Sequence, residues 1–284
     1  MKKIMLTISI CLLTHMSEAL AERIGLCGFD KTALNFKGTP TEQTSCLLRF
    51  VRKEGSGSDR QPIPAAIADR VTKPTDITTA NLSDCLTKLG VDASDVGGTL
   101  VANQATAKRQ YFVIHDTSSP EFAAPARFPS DINKASWSGN NIARGWDDMS
   151  GRVNVLVNRV GASRTMTDIS APRSKPAVKL EQASQVKASR PLFVHVENIQ
   201  PRIRPAGSWG HVAPNPGFSD AQLHRLALVY VVASVRAGHW LIPAFHFNID
   251  SELYRGVDVH DDPQAFDLAK WSTQIELVIG NCKQ

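Results

Sequence analysis

Two histidines and one aspartate in this chain each close an apolar run or a turn, and together they have the makings of a hydrolytic metal centre. The run Tyr111-Phe112-Val113-Ile114 leads straight into His115 and then into the polar, turn-prone Asp116-Thr117. A second run, Ile242-Pro243-Ala244-Phe245, ends at His246. In Val259-His260-Asp261-Asp262-Pro263, Asp262 lies in a segment that must turn. Two imidazoles and a carboxylate fill three positions of a tetrahedral Zn2+ and leave the fourth open for water, as a catalytic zinc requires. A lone histidine at a strand end is more often an ordinary core or surface residue. The recurrence at three such ends is what favours a shared cation.

Two further residues could act beside it. In Phe193-Val194-His195-Val196-Glu197, side chains alternate across a strand, so His195 and Glu197 share a face. A carboxylate beside an activated water is a general base, and Glu197 is the candidate. The plain alternative is an edge-strand carboxylate paired with a Lys or Arg. His260, two residues before Asp262, could donate to the oxyanion formed when water attacks an amide carbonyl, or could be a surface histidine.

Such residues need strands to carry them. Gln110–Ile114, 153–161 and 192–198 read as strands, the second ending in a Gly161 turn. Ser219 is a helix N-cap with Gln222 at the capping-box position, and the helix runs through Leu223, Leu226, Ala227, Tyr230 and Val231 to a stop near Gly238. Trp240–Phe245 is a short apolar run. Phe266–Ile279 is a helix or a strand, which period alone does not separate. Residues 162–190, punctuated by Arg164, Arg173, Lys175, Lys179, Lys187 and Arg190, read as a long basic surface loop or lid. The alternation of strands and helices predicts an α/β fold with a mixed central sheet flanked by helices on both faces.

The 284 residues, 42% of them hydrophobic, suffice for one large domain with an appendage. Residues 1–21 read as a signal peptide: Lys2-Lys3, an apolar run from Ile4 to Leu13 too short to span a membrane comfortably, and an Ala19-Leu20-Ala21 cleavage site. This predicts export to the periplasm or medium. Past the signal remain Cys27, Cys46, Cys85 and Cys282. An even count in an exported chain suggests two disulfides, with three pairings open and at least one tying the tail to the N-terminal segment. Residues 22–105 carry three of these cysteines, an exposed loop at 53–60 and a short helix at 80–90 that Ser83 could cap. They read as a disulfide-containing extension or small subdomain ahead of a domain at 106–284. A net charge of +5 suits an anionic partner and serves ordinary solubility equally well.

Six segments in one order carry a family resemblance: Val113-Ile114-His115-Asp116-Thr117-Ser118, Val155–Gly161, Val194-His195-Val196-Glu197, Gly217–Gln222, Ala244-Phe245-His246 and His260-Asp261-Asp262-Pro263. Over residues 106–270 the chain resembles the zinc-dependent N-acetylmuramoyl-L-alanine amidases of the type 2 amidase family, which are similar to peptidoglycan recognition proteins. The resemblance implies Zn2+ held by His115, His246 and Asp262, with Glu197 as base and His260 where the family commonly has lysine. The implied reaction is hydrolysis of the amide between N-acetylmuramic acid and L-alanine of the stem peptide. The implied partner is peptidoglycan or a muropeptide, with a regulatory or inhibitor protein as one means of restraint. Nucleic acid and stable membrane insertion are not expected. On charge alone, the basic residues between Arg164 and Arg190 could contact stem-peptide carboxylates. The rivals are a non-catalytic peptidoglycan-binding module, a zinc peptidase cutting elsewhere in the stem, and a structural exported protein whose histidines are incidental. The chain departs from the family at His260, at Gln264 in place of glycine, at Asn154 in place of a histidine, and in a longer 247–259 segment.

Overall fold

In a computed structural model, residues 27–52, 57–207, 210–250 and 260–283 are described. The predicted signal peptide, part of the 53–60 loop and residues 251–259 lie outside them. The fold is mixed α/β. Its central sheet has five strands: β1 (Tyr111–Asp116), β2 (Val155–Val157), β3 (Ser163–Thr165), β4 (Phe193–Asn198) and β5 (Ile242–Phe245). Their order is β5-β1-β4-β2-β3. The first four are parallel, and β3 closes the edge antiparallel to β2.

β1 and β4 are buried along nearly their whole length, as parallel strands covered on both faces must be. One face takes the helices α4 (Asp220–Ala237) and α6 (Leu268–Cys282), which pack on each other. Phe112 points into that layer, with ring centroids 5.2 Å from Tyr230 and 6.3 Å from Trp271. The opposite face takes the first part of the N-terminal extension. There Tyr111 lies 5.1 Å from Phe36, and its hydroxyl donates to Gln43 Oε1 at 2.9 Å from helix α1 (Pro40–Leu47). This segment is therefore half of the sheet's cover, and one contiguous apolar core runs through extension and domain alike. Disulfides Cys27–Cys46 and Cys85–Cys282 select one of the three open pairings, and the second ties the C-terminal helix to α2 (Thr79–Leu89).

Local details depart from expectation for identifiable reasons. Thr78, not Ser83, caps α2, because its hydroxyl and the Asn81 side chain exchange bonds across the first turn. Ser219 caps α4 by accepting from Gln222 N at 3.1 Å. The Gln222 side chain, however, does not complete the box; it donates to Ile199 O at 3.0 Å, just past the end of β4. β2 is shorter than expected because Asn158 Oδ1 accepts from Val160 N and Ala162 N, which turns the chain early. Gly161 follows at φ +81°, where an added Cβ would lie 2.9 Å from Ala221 O. Phe266–Ile279 falls mostly in α6, a helix. The 162–190 segment is not a surface loop: it supplies β3, the short helix α3 (Lys179–Gln182) and the buried residues Arg173 and Glu181.

Candidate metal centre

Parallel pairing lines up the candidate residues. His115 on β1 is the Cα partner of Glu197 on β4, while Ile114 partners Phe245 on β5, so His246 comes next in line. His246, His115 and Glu197 thus form a row at the carboxyl ends of three neighbouring strands, the edge where open α/β sheets place their ligands. His246 also begins α5 (His246–Asp250). That helix is held in place by the extension, since Asn248 Nδ2 donates to Leu47 O at 2.9 Å and Arg49 O at 2.8 Å.

Asp262 completes the cluster. Its backbone oxygen accepts from Phe247 N at 2.9 Å, and its Oδ2 accepts from Asp116 N at 3.2 Å. Asp116 points to the other face, where Arg202 meets it at 2.6 Å and Gln264 N donates to it at 3.0 Å. The Gln264 amide also joins this loop to Ala213 N and His211 O. Gln264 is thus a structural tie for the Asp262 loop. Asn154 accepts from His195 N at 3.0 Å and fixes β4 against the start of β2.

The donor set fits one divalent cation. His115 Nδ1 and His246 Nδ1 face each other at 3.0 Å. Asp262 offers Oδ1 at 3.0 Å from His246 Nδ1 and Oδ2 at 3.6 Å from His115 Nδ1. Zinc bonds of about 2.0–2.2 Å in a tetrahedron put neighbouring donors roughly 3.3–3.5 Å apart, close to this spacing. All three residues are buried, with ligand atoms within 4.8 Å of one another. A second grouping of His246, Asp250 and His260 also meets that distance, but its His260 is exposed.

Electrostatics point the same way. Burial, then the neighbouring His246 and His195 rings, hold the His115 pKa well below its ordinary value. Burial pushes His246 down too, but Asp262 and Asp250 outweigh it and hold that pKa well above the ordinary value. Without a cation, the proton between the two rings belongs to His246. Asp262 is held below the usual carboxylate range: burial opposes this, and the His246 charge wins. Glu197 is pushed well above that range, by burial first and then by Asp262. Its Oε1 is 3.9 Å from His115 Nδ1, and its Oε2 is buried with no hydrogen-bond partner among the described residues. An orphaned acceptor beside a cation site is what a water molecule's proton requires. His260 stacks on the His246 ring with centroids 4.4 Å apart.

Three residues without an assigned role from sequence belong to this cluster. His195 Nδ1 is 2.8 Å from His115 Nε2, and Glu181 Oε1 is 3.3 Å from His195 Nε2. Asp250 Oδ2 is 2.9 Å from His246 Nε2. The alternation of His195 with Glu197 on one strand and the i,i+4 spacing of His246 and Asp250 were the available signals. Glu181 carried none. The basic segment is less available for an anionic substrate than expected. Arg173 is buried against Glu181, and Arg164 and Arg190 donate to backbone carbonyls of Ile142 and Ser174. An open cleft of about 580 Å³ begins just beyond β1, lined by Ser119, Pro120, Phe122, Trp137, Arg144 and Trp146.

The fold and this cluster define a mixed α/β protein with a buried His/Asp group that could bind a metal ion. No family model, curated protein or solved structure matches the chain. The two disulfides are compatible with an exported protein, and among the described residues no helix is long and apolar enough to cross a membrane.

Proposed function

We propose that this chain is an exported, zinc-dependent N-acetylmuramoyl-L-alanine amidase. The observation that carries the reading is the convergence of His115, His246 and Asp262 with Glu197 alongside, on neighbouring strand ends. His115 Nδ1, His246 Nδ1 and an Asp262 oxygen would hold the ion. Bound there, zinc supplies Lewis acidity that polarises the scissile carbonyl and lowers the pKa of water toward about 7.

The protein's own groups supply the proton transfers. Glu197 accepts the proton of the attacking water, then delivers it to the departing L-alanine nitrogen. The new C–O bond forms first as the carbonyl becomes an oxyanion, and its collapse breaks the amide C–N bond, leaving a free carboxylate on the lactyl group and a free amine on the peptide. His260, beside His246, donates a hydrogen bond to the oxyanion. The cleft past Ser119 offers room for the glycan or peptide arm, and its two tryptophans suit the apolar face of a sugar.

Digestion of purified peptidoglycan with and without a chelator, followed by mass spectrometry, tests the reading. Free stem peptides with intact N-terminal L-alanine, abolished by chelator and restored by Zn2+, are expected. Cuts within the stem would make the chain a peptidase, and binding without products would make it a recognition module; either outcome overturns the proposal.

A further inference from the structure

The far sides of both candidate ligand rings are governed by one short stretch of chain, residues 177–182. His246 Nε2 meets Asp250 Oδ2 at 2.9 Å. Asp250 is itself gripped by the first amides of α3, from Lys179 N at 2.7 Å and Leu180 N at 3.1 Å. On the other ring, His115 Nε2 meets His195 Nδ1 at 2.8 Å, and His195 Nε2 meets Glu181 Oε1 at 3.3 Å. Glu181 belongs to the same α3, where it also accepts from Ala177 N at 2.7 Å and from both terminal nitrogens of Arg173. His195, Glu181 and Asp250 are 0–1% exposed, so water cannot substitute for these partners.

With a cation in place of the proton that His246 Nδ1 otherwise shares with His115 and Asp262, hydrogen bookkeeping leaves one arrangement. A carboxylate only accepts, so Glu181 requires a hydrogen on His195 Nε2. A neutral His195 then has a bare Nδ1, which requires a hydrogen on His115 Nε2 and leaves His115 Nδ1 with its lone pair toward Asp262 and His246. Asp250 likewise requires a hydrogen on His246 Nε2 and leaves that ring's Nδ1 free. Both rings present the nitrogen that a cation needs.

We infer that His195, Glu181 and Asp250 are positioning residues that lock both ligand imidazoles in the Nε2–H tautomer, and that α3 couples the two. The inference rests on the cation site proposed above and not on the choice of substrate. Outer partners of metal-bound histidines typically contribute about 10- to 100-fold in metal affinity.

The test uses the full mature chain and Zn2+ in competition with a chromogenic chelator. His195→Leu, which removes the acceptor for His115 Nε2–H, is expected to weaken zinc binding about 10- to 100-fold. His195→Asn, whose amide oxygen can take the place of Nδ1, should recover most of that loss, which a merely structural role would not produce. The Co2+-loaded His195→Leu protein should show an altered visible spectrum. Because a buried variant can fail to fold, the zinc-loaded wild-type protein with 15N-labelled histidine provides an independent reading: His115 and His246 should carry hydrogen on Nε2 alone. Equal zinc affinity of wild type and His195→Leu, or hydrogen on Nδ1 of either ring, overturns the inference while leaving the amidase reading intact. A wild-type chain that binds no zinc overturns both.

Discussion

His115 and Glu197 are directly paired across neighbouring parallel strands, which holds the imidazole Nδ1 3.9 Å from the carboxylate Oε1. Pairing of this kind is rigid, because sliding β4 by one residue would turn Glu197 to the opposite face of the sheet. The proposed base and the first proposed ligand therefore cannot be separated without unmaking the sheet.

Glu197→Gln should keep zinc and lose rate. The amide has the shape of the acid but cannot take a proton, so kcat on a muropeptide should fall about 10²- to 10⁴-fold at unchanged zinc content. Burial and Asp262 disfavour the Glu197 charge in the metal-free chain, so thermal unfolding of metal-free Glu197→Gln should occur at or above the wild-type temperature. A large drop in that temperature would assign Glu197 a structural role.

Zinc should stabilise the fold. A ligand at about 100 times its Kd adds roughly 2.7 kcal/mol to the unfolding free energy. Denaturant titration with excess Zn2+ should show that gain in the wild type and none in His115→Ala or Asp262→Ala.

Acid should weaken the metal-free protein partly through His195. Burial, then Arg173, push its imidazole down to about 4, against an ordinary value of about 6.5 in the unfolded chain. Between those values the unfolded chain binds a proton that the folded chain refuses, so stability falls as pH falls. From pH 7 to pH 5 this one group contributes a loss of about 2 kcal/mol. Urea unfolding of metal-free wild type and His195→Asn at both pH values should show a smaller loss in the variant by about that amount.

Arg202→Met should be damaging out of proportion to its distance from Asp262. Arg202 is the buried counterion of Asp116, whose pKa burial already raises. Removing one partner of a buried pair costs about 3–5 kcal/mol because the other charge is stranded. Chemical denaturation should show that loss, and Asp116→Asn in the same chain should restore much of it.

Replacing Cys85 and Cys282 together by serine should be costly too. Their bridge spans a sequence separation of 197 residues and clips the last helix to α2. Loop-entropy arguments put its worth at up to about 5 kcal/mol. The paired variant should unfold at a markedly lower denaturant concentration, with a smaller effect for the Cys27/Cys46 pair.

The sequence by itself determined the strands β1, β2 and β4 and the residues they carry to their ends. An apolar run such as Tyr111–Ile114 declares itself because burial on both faces of a parallel sheet demands unbroken hydrophobicity, and that demand is local. The Ser219 cap and the Gly238 stop of α4 were legible for the same reason. Only the tertiary structure decided what met what. Register set His115 beside Glu197 and brought His246 and Asp262 into reach. It chose the cysteine pairing and laid the first part of the N-terminal extension over the face that bears the histidines. It also turned a basic stretch, which by composition belonged in solvent, into the buried brace of Arg173, Glu181 and α3. Charged residues read as exposed until their partners are known: Arg173 meets Glu181 eight residues on, and Glu181 in turn meets His195 on β4, which no local pattern connects to it.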